Sequence, residues 1–316
     1  MTTQIIAILH LEDVGGSHVN LRSRRGPLET FLLCAVTCAK SFAEQGLPFL
    51  LLTDQPERLR NCGRALGLAE SALPAIEHYP FKLDVPPGIR FRGAHFRLEL
   101  IEAIAEGTFG QQCAILDVDA VAIAPFPELA LGDADLVAYK LPDVGTPRGG
   151  LNILRDIERL TGVRPAAPCW YGGELLAGRA SAFGRLVPTL RTAWDRYRAD
   201  VESFHYIGSE MVWNAMLQAT PDINVIDAGY AGLLARWWST RGRAEQVPFD
   251  VARRSAILHL PADKALLSNW ARRPFEAEAF LIAYERHLRG EIAKGHLGNL
   301  LRRLKGQQQR PVPHLH

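Results

Sequence analysis

Short apolar runs alternate with helical patterns along the first half of the chain. Residues 5–9 and 49–53 form runs of strand length that are apolar at nearly every position. Between them, apolar side chains recur every three or four positions over residues 28–42. This spacing predicts an amphipathic helix that begins at Pro27 and ends at Gly46. Strand, helix and strand in this order, with strands apolar on both faces, are typical of a parallel sheet covered by helices.

The alternation continues to about residue 260. Apolar spacing predicts helices over residues 97–105, 180–197 and 209–218. Strands are predicted at 113–116, 120–123, 135–139, 223–226 and 256–260, and a loop-dominated insertion around a short helix at 140–168. Because no repeat or linker divides this part of the chain, we expect an α/β fold in one main domain, residues 1–268. A helical extension over 269–306 and a disordered tail over 307–316 complete the prediction.

The composition is that of an ordinary globular protein. Of the 316 residues, 47% are hydrophobic and 22% charged, which excludes collagen-like, disordered and coiled-coil chains. The net charge of +2 gives no electrostatic case for nucleic acid as the main partner. No apolar stretch approaches the roughly 20 residues that cross a bilayer, and the N-terminus lacks a signal-peptide pattern. These features predict a cytoplasmic protein whose five cysteines, none in Cys-x-x-Cys spacing, are reduced thiols.

The tripeptide Asp117-Val118-Asp119 follows the strand predicted at 113–116. Alternate residues of an extended segment point to the same side, so both carboxylates can face one cation. Ligands of open α/β sheets bind just beyond the carboxyl ends of the strands, and hard oxygen ligands suit Mg²⁺ or Mn²⁺. A solvated acidic turn is the alternative interpretation. The apolar runs on both sides favour the cation, because burying two unpaired carboxylates is costly.

Five short motifs, in one order, resemble those of GT-A fold glycosyltransferases, which use nucleotide sugars. The segment 114–121 resembles the DxD motif of that family. Two retaining branches are similar: the blood-group-type α-galactosyl- and N-acetylgalactosaminyltransferases, and the glycogenin-like or bacterial lipooligosaccharide galactosyltransferases. The other motifs are LLTDQP at 51–56, FRL at 96–98, WYGGELLAG at 170–178 and GSEMVWN at 208–214. The resemblance extends from residue 1 to about 265.

This resemblance implies a Rossmann-like nucleotide-diphospho-sugar transferase fold, with a mixed, mostly parallel central sheet flanked by helices. It also implies a UDP-sugar donor and a Mn²⁺ or Mg²⁺ ion. The nucleobase and ribose would lie against the first strand and the end of the second strand. The sugar would lie against a pair of glycines, whose lack of a side chain lets the backbone approach it closely. A tight turn is the alternative explanation for these glycines. The implied donor contacts are Ile6, Ala7, Ile8, Thr53, Asp54, Asp117, Gly172, Gly173 and Lys264.

Glu210 lies where the family has its catalytic Glu or Gln, four residues before Asn214. By resemblance, its carboxylate would lie beneath the anomeric carbon of the donor, where it could attack that carbon or stabilise an oxocarbenium ion pair. The alternative is structural, since a helix dipole favours Glu in the first turn. Arg97 would bridge Asp117 and the donor sugar, or would lie on the polar face of its helix.

His259 follows the apolar residues at the end of the last predicted strand. In glycogenin-like enzymes, a His at a strand end completes the metal coordination and a downstream Lys neutralises the pyrophosphate. The resemblance therefore makes His259 the third metal ligand beside Asp117 and Asp119, and assigns the phosphate charge to Lys264. A hydrogen-bonded histidine at a strand end is the alternative.

The segment 294–305 combines leucines at helical spacing with basic residues. Such a helix could lie on the inner face of an anionic membrane, near a lipid-linked acceptor, or could dock on the domain. The resemblance thus implies a metal-dependent, retaining hexosyltransferase with a carbohydrate, lipid-linked or nucleoside-type acceptor. Two alternatives stay open: a nucleotidyltransferase, which would share the acidic site but normally has a Gly-rich loop and a Lys after the first strand, and a non-catalytic protein that binds sugar nucleotides or glycans.

Overall fold

The computed structural model describes residues 2–11, 25–125, 135–141, 151–166, 169–239 and 246–304, with the backbone alone for residues 151 and 292–304. The strands are β1 (Gln4–Ile8), β2 (Phe49–Thr53), β3 (Ala75–His78), β4 (Gln112–Leu116), β5 (Ala120–Ala122), β6 (Leu136–Lys140), β7 (Tyr171–Arg179), β8 (Val225–Asp227), β9 (Leu234–Arg236) and β10 (Ile257–His259). The helices are α1 (Pro27–Glu44), α2 (Pro56–Ala65), α3 (Arg92–His95), α4 (Arg97–Ala105), α5 (Leu151–Thr161), α6 (Ala180–Ala199), α7 (Ser209–Ala219), α8 (Phe249–Ala252), α9 (Lys264–Trp270) and α10 (Ala277–Leu304). The helices and strands predicted from apolar spacing are confirmed to within a few residues at their ends.

The central sheet has seven strands in the order β3-β2-β1-β4-β7-β6-β8. The four strands β3, β2, β1 and β4 run parallel, and β8 runs parallel to β6. In contrast, β7 is antiparallel to both of its neighbours, β4 and β6. The predicted α/β fold with a mixed, mostly parallel sheet is therefore confirmed. A second sheet has the order β5-β10-β9.

Two apolar layers cover the central sheet, one on each face. Ile5 and Ala7 belong to the layer that contains α1, whereas Ile6 between them belongs to the layer that contains α4, α6 and α7. All three side chains are fully buried. Successive side chains of a strand point to opposite faces, so a strand that is covered on both faces has no polar position. This explains why β1 and β2 are continuous apolar runs in the sequence.

The tripeptide 117–119 crosses from the central sheet to the small one, because β4 ends just before it and β5 begins just after it. The Asp117 N–H donates to the Glu174 carbonyl on β7 (3.2 Å). The Asp119 carbonyl accepts the N–H of Leu260, which follows β10 (2.9 Å). Backbone hydrogen bonds therefore fix the tripeptide at both ends, one in each sheet.

Helix α7 is attached to β7 by the side chain of Asn214, which is fully buried. Its Nδ2 donates to the Tyr171 carbonyl (2.8 Å) and its Oδ1 accepts the Tyr171 N–H (2.7 Å), as a neighbouring strand would. Nδ2 also donates to the carbonyl of Glu210, one turn earlier (2.8 Å). These bonds hold the first turn of α7, and with it Glu210, against the start of β7.

A buried histidine supports the same end of α7. The Gly208 N–H donates to the Tyr197 hydroxyl (2.7 Å), which lies 3.4 Å from His95 Nε2. His95 Nδ1 lies 3.1 Å from the carbonyl of Phe91, whose backbone is left-handed (φ 56°). These contacts fit one neutral tautomer, in which Nδ1–H donates to Phe91 and Nε2 accepts from Tyr197.

This histidine should make stability depend on pH. Burial lowers the pKa of His95 to about 4, against 6.5 for an ordinary histidine. The unfolded chain therefore takes up a proton at a higher pH than the folded chain, and stability falls as the pH falls from 6.5 towards 4. We expect His95 to account for a loss of about 2 kcal/mol of unfolding free energy between pH 7 and pH 5. Urea unfolding at both pH values should show this loss in the wild type and a smaller one in His95→Gln, and equal losses would contradict the prediction.

Helix α10 begins as part of the hydrophobic core. Phe280 and Tyr284 are fully buried, and their rings pack against Trp270 and Phe249. The predicted division of the chain after residue 268 stays a prediction. The side chains of the basic segment 294–305 and the tail 307–316 lie outside the described residues. Within the described ranges, no helix is both long and apolar enough to cross a membrane.

Candidate active site

The three predicted metal ligands come together beyond the ends of β4 and β10. One ligand atom each from Asp117, Asp119 and His259 lie within 4.8 Å of one another. His259 Nε2 is 3.0 Å from Asp119 Oδ1 and 3.7 Å from Asp117 Oδ2. This is the one group of three or more such residues in the described part of the chain that could hold a cation.

Asp119 is paired with two basic side chains in the interior. Lys264 Nζ donates to Asp119 Oδ2 and to the Pro261 carbonyl (2.8 Å), and Asp119, Lys264 and His259 are all buried. Burial alone would raise the pKa of Asp119, but Lys264 and His259 outweigh it and hold that pKa well below its usual range. Burial would also lower the pKa of His259, but Asp119 and the nearby Glu174 raise it to about 9. Asp119 is therefore an ionised carboxylate at neutral pH.

Asp117 is the more exposed of the two aspartates and contacts Arg97. Its side chain is 31% exposed, against 7% for Asp119, and Arg97 Nη2 lies 3.0 Å from Asp117 Oδ1. Burial raises the pKa of Asp117, Arg97 opposes the rise, and the carboxylates of Asp119 and Glu174 add to it. A further positive charge at this position would favour the ionised form of Asp117, as Arg97 does.

Arg97 and Glu210 meet at the backbone of Gly173. Arg97 Nη1 donates to the Gly173 carbonyl, and Glu210 Oε1 accepts the Gly173 N–H (3.3 Å). Glu210 Oε2 accepts two more hydrogen bonds, from Trp170 Nε1 and the Tyr206 hydroxyl (3.1 Å each). Three donors stabilise the charge of this carboxylate and fix its direction. A Cβ atom at Gly173 would lie 2.5 Å from Arg97 Nη1, so a side chain there would displace the guanidinium group.

Glu174, within the WYGGELLAG motif on β7, is a buried carboxylate to which the sequence resemblance assigns no role. It is 1% exposed, and its Oε1 lies 3.6 Å from Arg236 Nη1 and 3.9 Å from His259 Nδ1. Burial alone would raise the pKa of Glu174, but Arg236 and His259 together lower it. The carboxylate folds over Gly172, where a Cβ atom would collide with it. A single acidic residue within an otherwise apolar strand could have marked Glu174 in the sequence, because a buried carboxylate needs a charged or hydrogen-bonding partner.

The residues of this cluster fit a divalent cation. Carboxylate oxygens and imidazole nitrogens are ligands that Mn²⁺ uses, and carboxylates also suit Mg²⁺. Among the described residues, the buried atoms His259 Nδ1 and Glu174 Oε1 have no hydrogen-bond partner. Buried polar atoms are normally paired, so the hydrogen bonding on the Nδ1 side of the His259 ring is incomplete.

The predicted nucleotide contacts lie at the ends of β1 and β2. Asp54 Oδ1 accepts the N–H of Leu11, which connects the segment after β1 to β2 (2.8 Å). Thr53 is fully buried, and its hydroxyl accepts the Gln55 N–H (3.3 Å). Of the three β1 residues predicted to border the nucleobase, Ile8 is the one that is partly exposed. Contact of these positions with a donor stays a prediction.

The predicted GT-A fold is confirmed by the similarity of this chain to solved structures. Two solved structures share it. The first is the galactosyltransferase LgtC in complex with donor and acceptor sugar analogs, with a TM-score of 0.52 and 12% identity over 85% of this chain and 95% of that one. The second is an active-site mutant of LgtC, with a TM-score of 0.50 and 14% identity over 82% of this chain and 87% of that one. No family model and no curated protein matches the sequence.

Proposed function

We propose that the chain is a metal-dependent glycosyltransferase that transfers a hexose from a UDP-sugar with retention of configuration. One observation carries the proposal: the candidate cation site is physically connected to Glu210. Arg97 contacts Asp117 with one guanidinium nitrogen and the Gly173 carbonyl with another, and Gly173 donates its N–H to Glu210. The cation site, which would bind the leaving diphosphate, and the Glu210 carboxylate, which would act on the reacting carbon, would thus lie side by side. The shared fold with LgtC, a galactosyltransferase, supports this proposal.

The positive groups of the site would act on the departing nucleotide diphosphate. Asp117, Asp119 and His259 would hold Mn²⁺ or Mg²⁺, which supplies positive charge to the diphosphate as negative charge develops on it. Lys264 adds a cation of the chain itself, and Arg97 balances Asp117. Such fixed positive groups lower the barrier because they need no reorganisation when the glycosidic bond breaks.

Glu210 would act at the anomeric carbon of the donor sugar. A carboxylate there can form a covalent bond to that carbon or stabilise positive charge on it, and both routes require an ionised, fixed group. Trp170, Tyr206 and Gly173 each donate a hydrogen bond to the Glu210 carboxylate. All three donors hold the carboxylate in one orientation, which a catalytic group needs.

The acceptor we propose is a carbohydrate, lipid-linked or nucleoside-type hydroxyl compound. The rings of Trp170 and Tyr206 lie 4.9 Å apart beside Glu210, and aromatic faces suit the apolar faces of sugar rings. A cytoplasmic enzyme that contacts the membrane through residues 294–305 would meet lipid-linked acceptors at the inner leaflet. Liposome flotation of the full chain would examine that part of the proposal separately.

Thermal unfolding with UDP is the first test of the proposed function. A ligand that binds only the folded chain raises the melting temperature, and at about 100 times its Kd the stabilisation is about 2.7 kcal/mol. We expect UDP with Mn²⁺ to raise the melting temperature by about 5 °C, and UDP with EDTA to have little effect. An equal shift with and without the metal would contradict metal-dependent donor binding.

Turnover distinguishes the enzyme from the other classes. A panel of UDP-sugars with Mn²⁺ should show slow release of UDP from at least one donor. Release of pyrophosphate from a nucleoside triphosphate would instead indicate a nucleotidyltransferase. Metal-dependent UDP binding without turnover of any donor would indicate a non-catalytic sugar-nucleotide-binding protein.

A further inference from the structure

We propose that Glu174 is a positioning residue that orients His259 towards the cation through the Nδ1 side of the imidazole. This inference rests on the proposed function, because it assumes that Asp117, Asp119 and His259 bind a metal. It concerns a carboxylate outside that ligand set.

The backbone already places Glu174 beside the acidic tripeptide. The Glu174 carbonyl accepts the Asp117 N–H across the β4–β7 pair. The side chain of the same residue extends towards His259 on the small sheet, where Oε1 and Nδ1 lie 3.9 Å apart. One residue of β7 thus contacts the loop that carries two of the ligands and faces the third ligand.

The two atoms that face each other, Glu174 Oε1 and His259 Nδ1, both have unused hydrogen-bonding capacity. Within the described chain, neither Glu174 Oε1 nor His259 Nδ1 has a hydrogen-bond partner, although both are buried. His259 directs its other nitrogen, Nε2, towards Asp119 and Asp117. Histidines that bind a metal through one nitrogen almost always donate the other N–H to a carboxylate, a carbonyl or water. A shift of about 1 Å would bring Oε1 and Nδ1 to hydrogen-bond distance.

Glu174 also lies within ion-pair distance of Arg236, and this contact leaves Oε1 without a hydrogen bond. Arg236 Nη1 lies 3.6 Å from Oε1, too far for a hydrogen bond, and Arg236 Nε has no partner among the described residues. Arg236 therefore balances the charge of the carboxylate and leaves Oε1 free to accept a hydrogen bond. Gly172 leaves open the space into which the carboxylate folds, since any Cβ there would collide with Glu174.

The test is the affinity for Mn²⁺, measured from the electron paramagnetic resonance signal of free Mn²⁺ with and without UDP. Removal of an outer-shell partner typically weakens metal binding by about 10- to 100-fold, and we expect this loss for Glu174→Leu. Glu174→Gln keeps an oxygen that can accept the Nδ1–H, so its affinity should lie closer to that of the wild type. Gly172→Ala should resemble Glu174→Leu, because it displaces the carboxylate without removing it. The double variant, Gly172→Ala with Glu174→Leu, should bind Mn²⁺ no more weakly than Glu174→Leu alone.

Asp156→Asn is the matched control for stability. Asp156 is also a 1% exposed carboxylate paired with a histidine, since it accepts the N–H of His205 (2.9 Å) and lies 3.1 Å from Nδ1 of the same residue. It belongs to α5 and takes no part in the cation site, so the variant should lose stability and keep its Mn²⁺ affinity.

The possible results distinguish failure of this inference from failure of the proposed function. Wild-type affinity in both Glu174→Leu and Gly172→Ala would overturn the inference and leave the proposed function intact. Equal losses in Glu174→Gln and Glu174→Leu would overturn the hydrogen-bond role in favour of a charge effect. A wild-type chain that binds no Mn²⁺, even with UDP, would overturn the metal-dependent function together with this inference.

Discussion

Glu210→Gln should slow sugar transfer by about 10²- to 10³-fold and leave the binding of UDP and Mn²⁺ unchanged. The amide has the shape of the carboxylate but carries no negative charge for the anomeric carbon, and loss of one fixed electrostatic group costs about this much. The amide oxygen can still accept from Trp170 and Tyr206, whereas its NH₂ group would face the Gly173 N–H. Asn214 holds this turn of α7 independently of the Glu210 side chain, so the packing of α7 should persist and the change should appear in kcat. Steady-state rates with saturating donor and the metal-dependent melting shift measure the two effects separately.

Tyr206→Phe is the control for the Glu210 experiment. It removes one hydrogen bond from Oε2 but leaves the carboxylate and its bond from Trp170 in place. We expect a far smaller loss of rate than in Glu210→Gln. Full activity in Glu210→Gln would exclude Glu210 as the group at the anomeric carbon. Intact-mass measurement after incubation with donor alone would show whether a hexose becomes covalently attached to the wild type.

The second large effect is expected for Asp119→Ala, which should abolish the Mn²⁺-dependent part of UDP binding. The substitution removes a candidate ligand and also leaves Lys264 in the interior without its carboxylate partner. Breaking a buried ion pair by removing one partner costs about 3–5 kcal/mol of unfolding free energy. The variant should therefore both unfold at lower urea concentration and show the same melting temperature with UDP–Mn²⁺ as with UDP–EDTA.

Two further variants separate loss of the metal from loss of stability. Asp119→Asn keeps the shape of the side chain and should bind Mn²⁺ weakly, with a smaller loss of stability than Asp119→Ala. Lys264→Met should remove the same ion pair while it keeps the carboxylate, so it should lose stability but retain Mn²⁺ binding. Undiminished Mn²⁺ binding by Asp119→Ala would remove this residue from the ligand set.

Features that depend on nearby residues could be predicted from the sequence. Helix α4 spans Arg97–Ala105 and strand β2 spans Phe49–Thr53, as their apolar spacing predicts. Asp117 and Asp119 lie close together, as their spacing predicts, although residues 118–119 form a turn and not the extended segment on which that prediction rested. The contact of His259 with this pair could not be derived from spacing, and came from the resemblance to glycosyltransferases.

Other elements carry too weak a local signal. Strand β3 has a single buried residue, Ile76, and helix α2 has two, Leu59 and Gly63, so the apolar positions of each are few. The direction of β7, antiparallel to its neighbours, is set by the chain path and not by its residues. The approach of Glu174 to His259 also depends on that path, since it joins two different sheets. Tertiary contacts of this kind leave no pattern within one segment.

The acidic tripeptide 117–119 is also the segment that joins the central sheet to the small sheet. The strands of the small sheet have three residues each and so contribute few backbone bonds of their own. His259, on the small sheet, lies 3.7 Å from Asp117 at the end of β4, and this contact spans the two sheets. A bound ion would add a further link between the two sheets, and would stiffen the chain at the proposed nucleotide site. Loading and release of the donor would then be coupled to the rigidity of a whole sheet, beyond the few side chains that touch it.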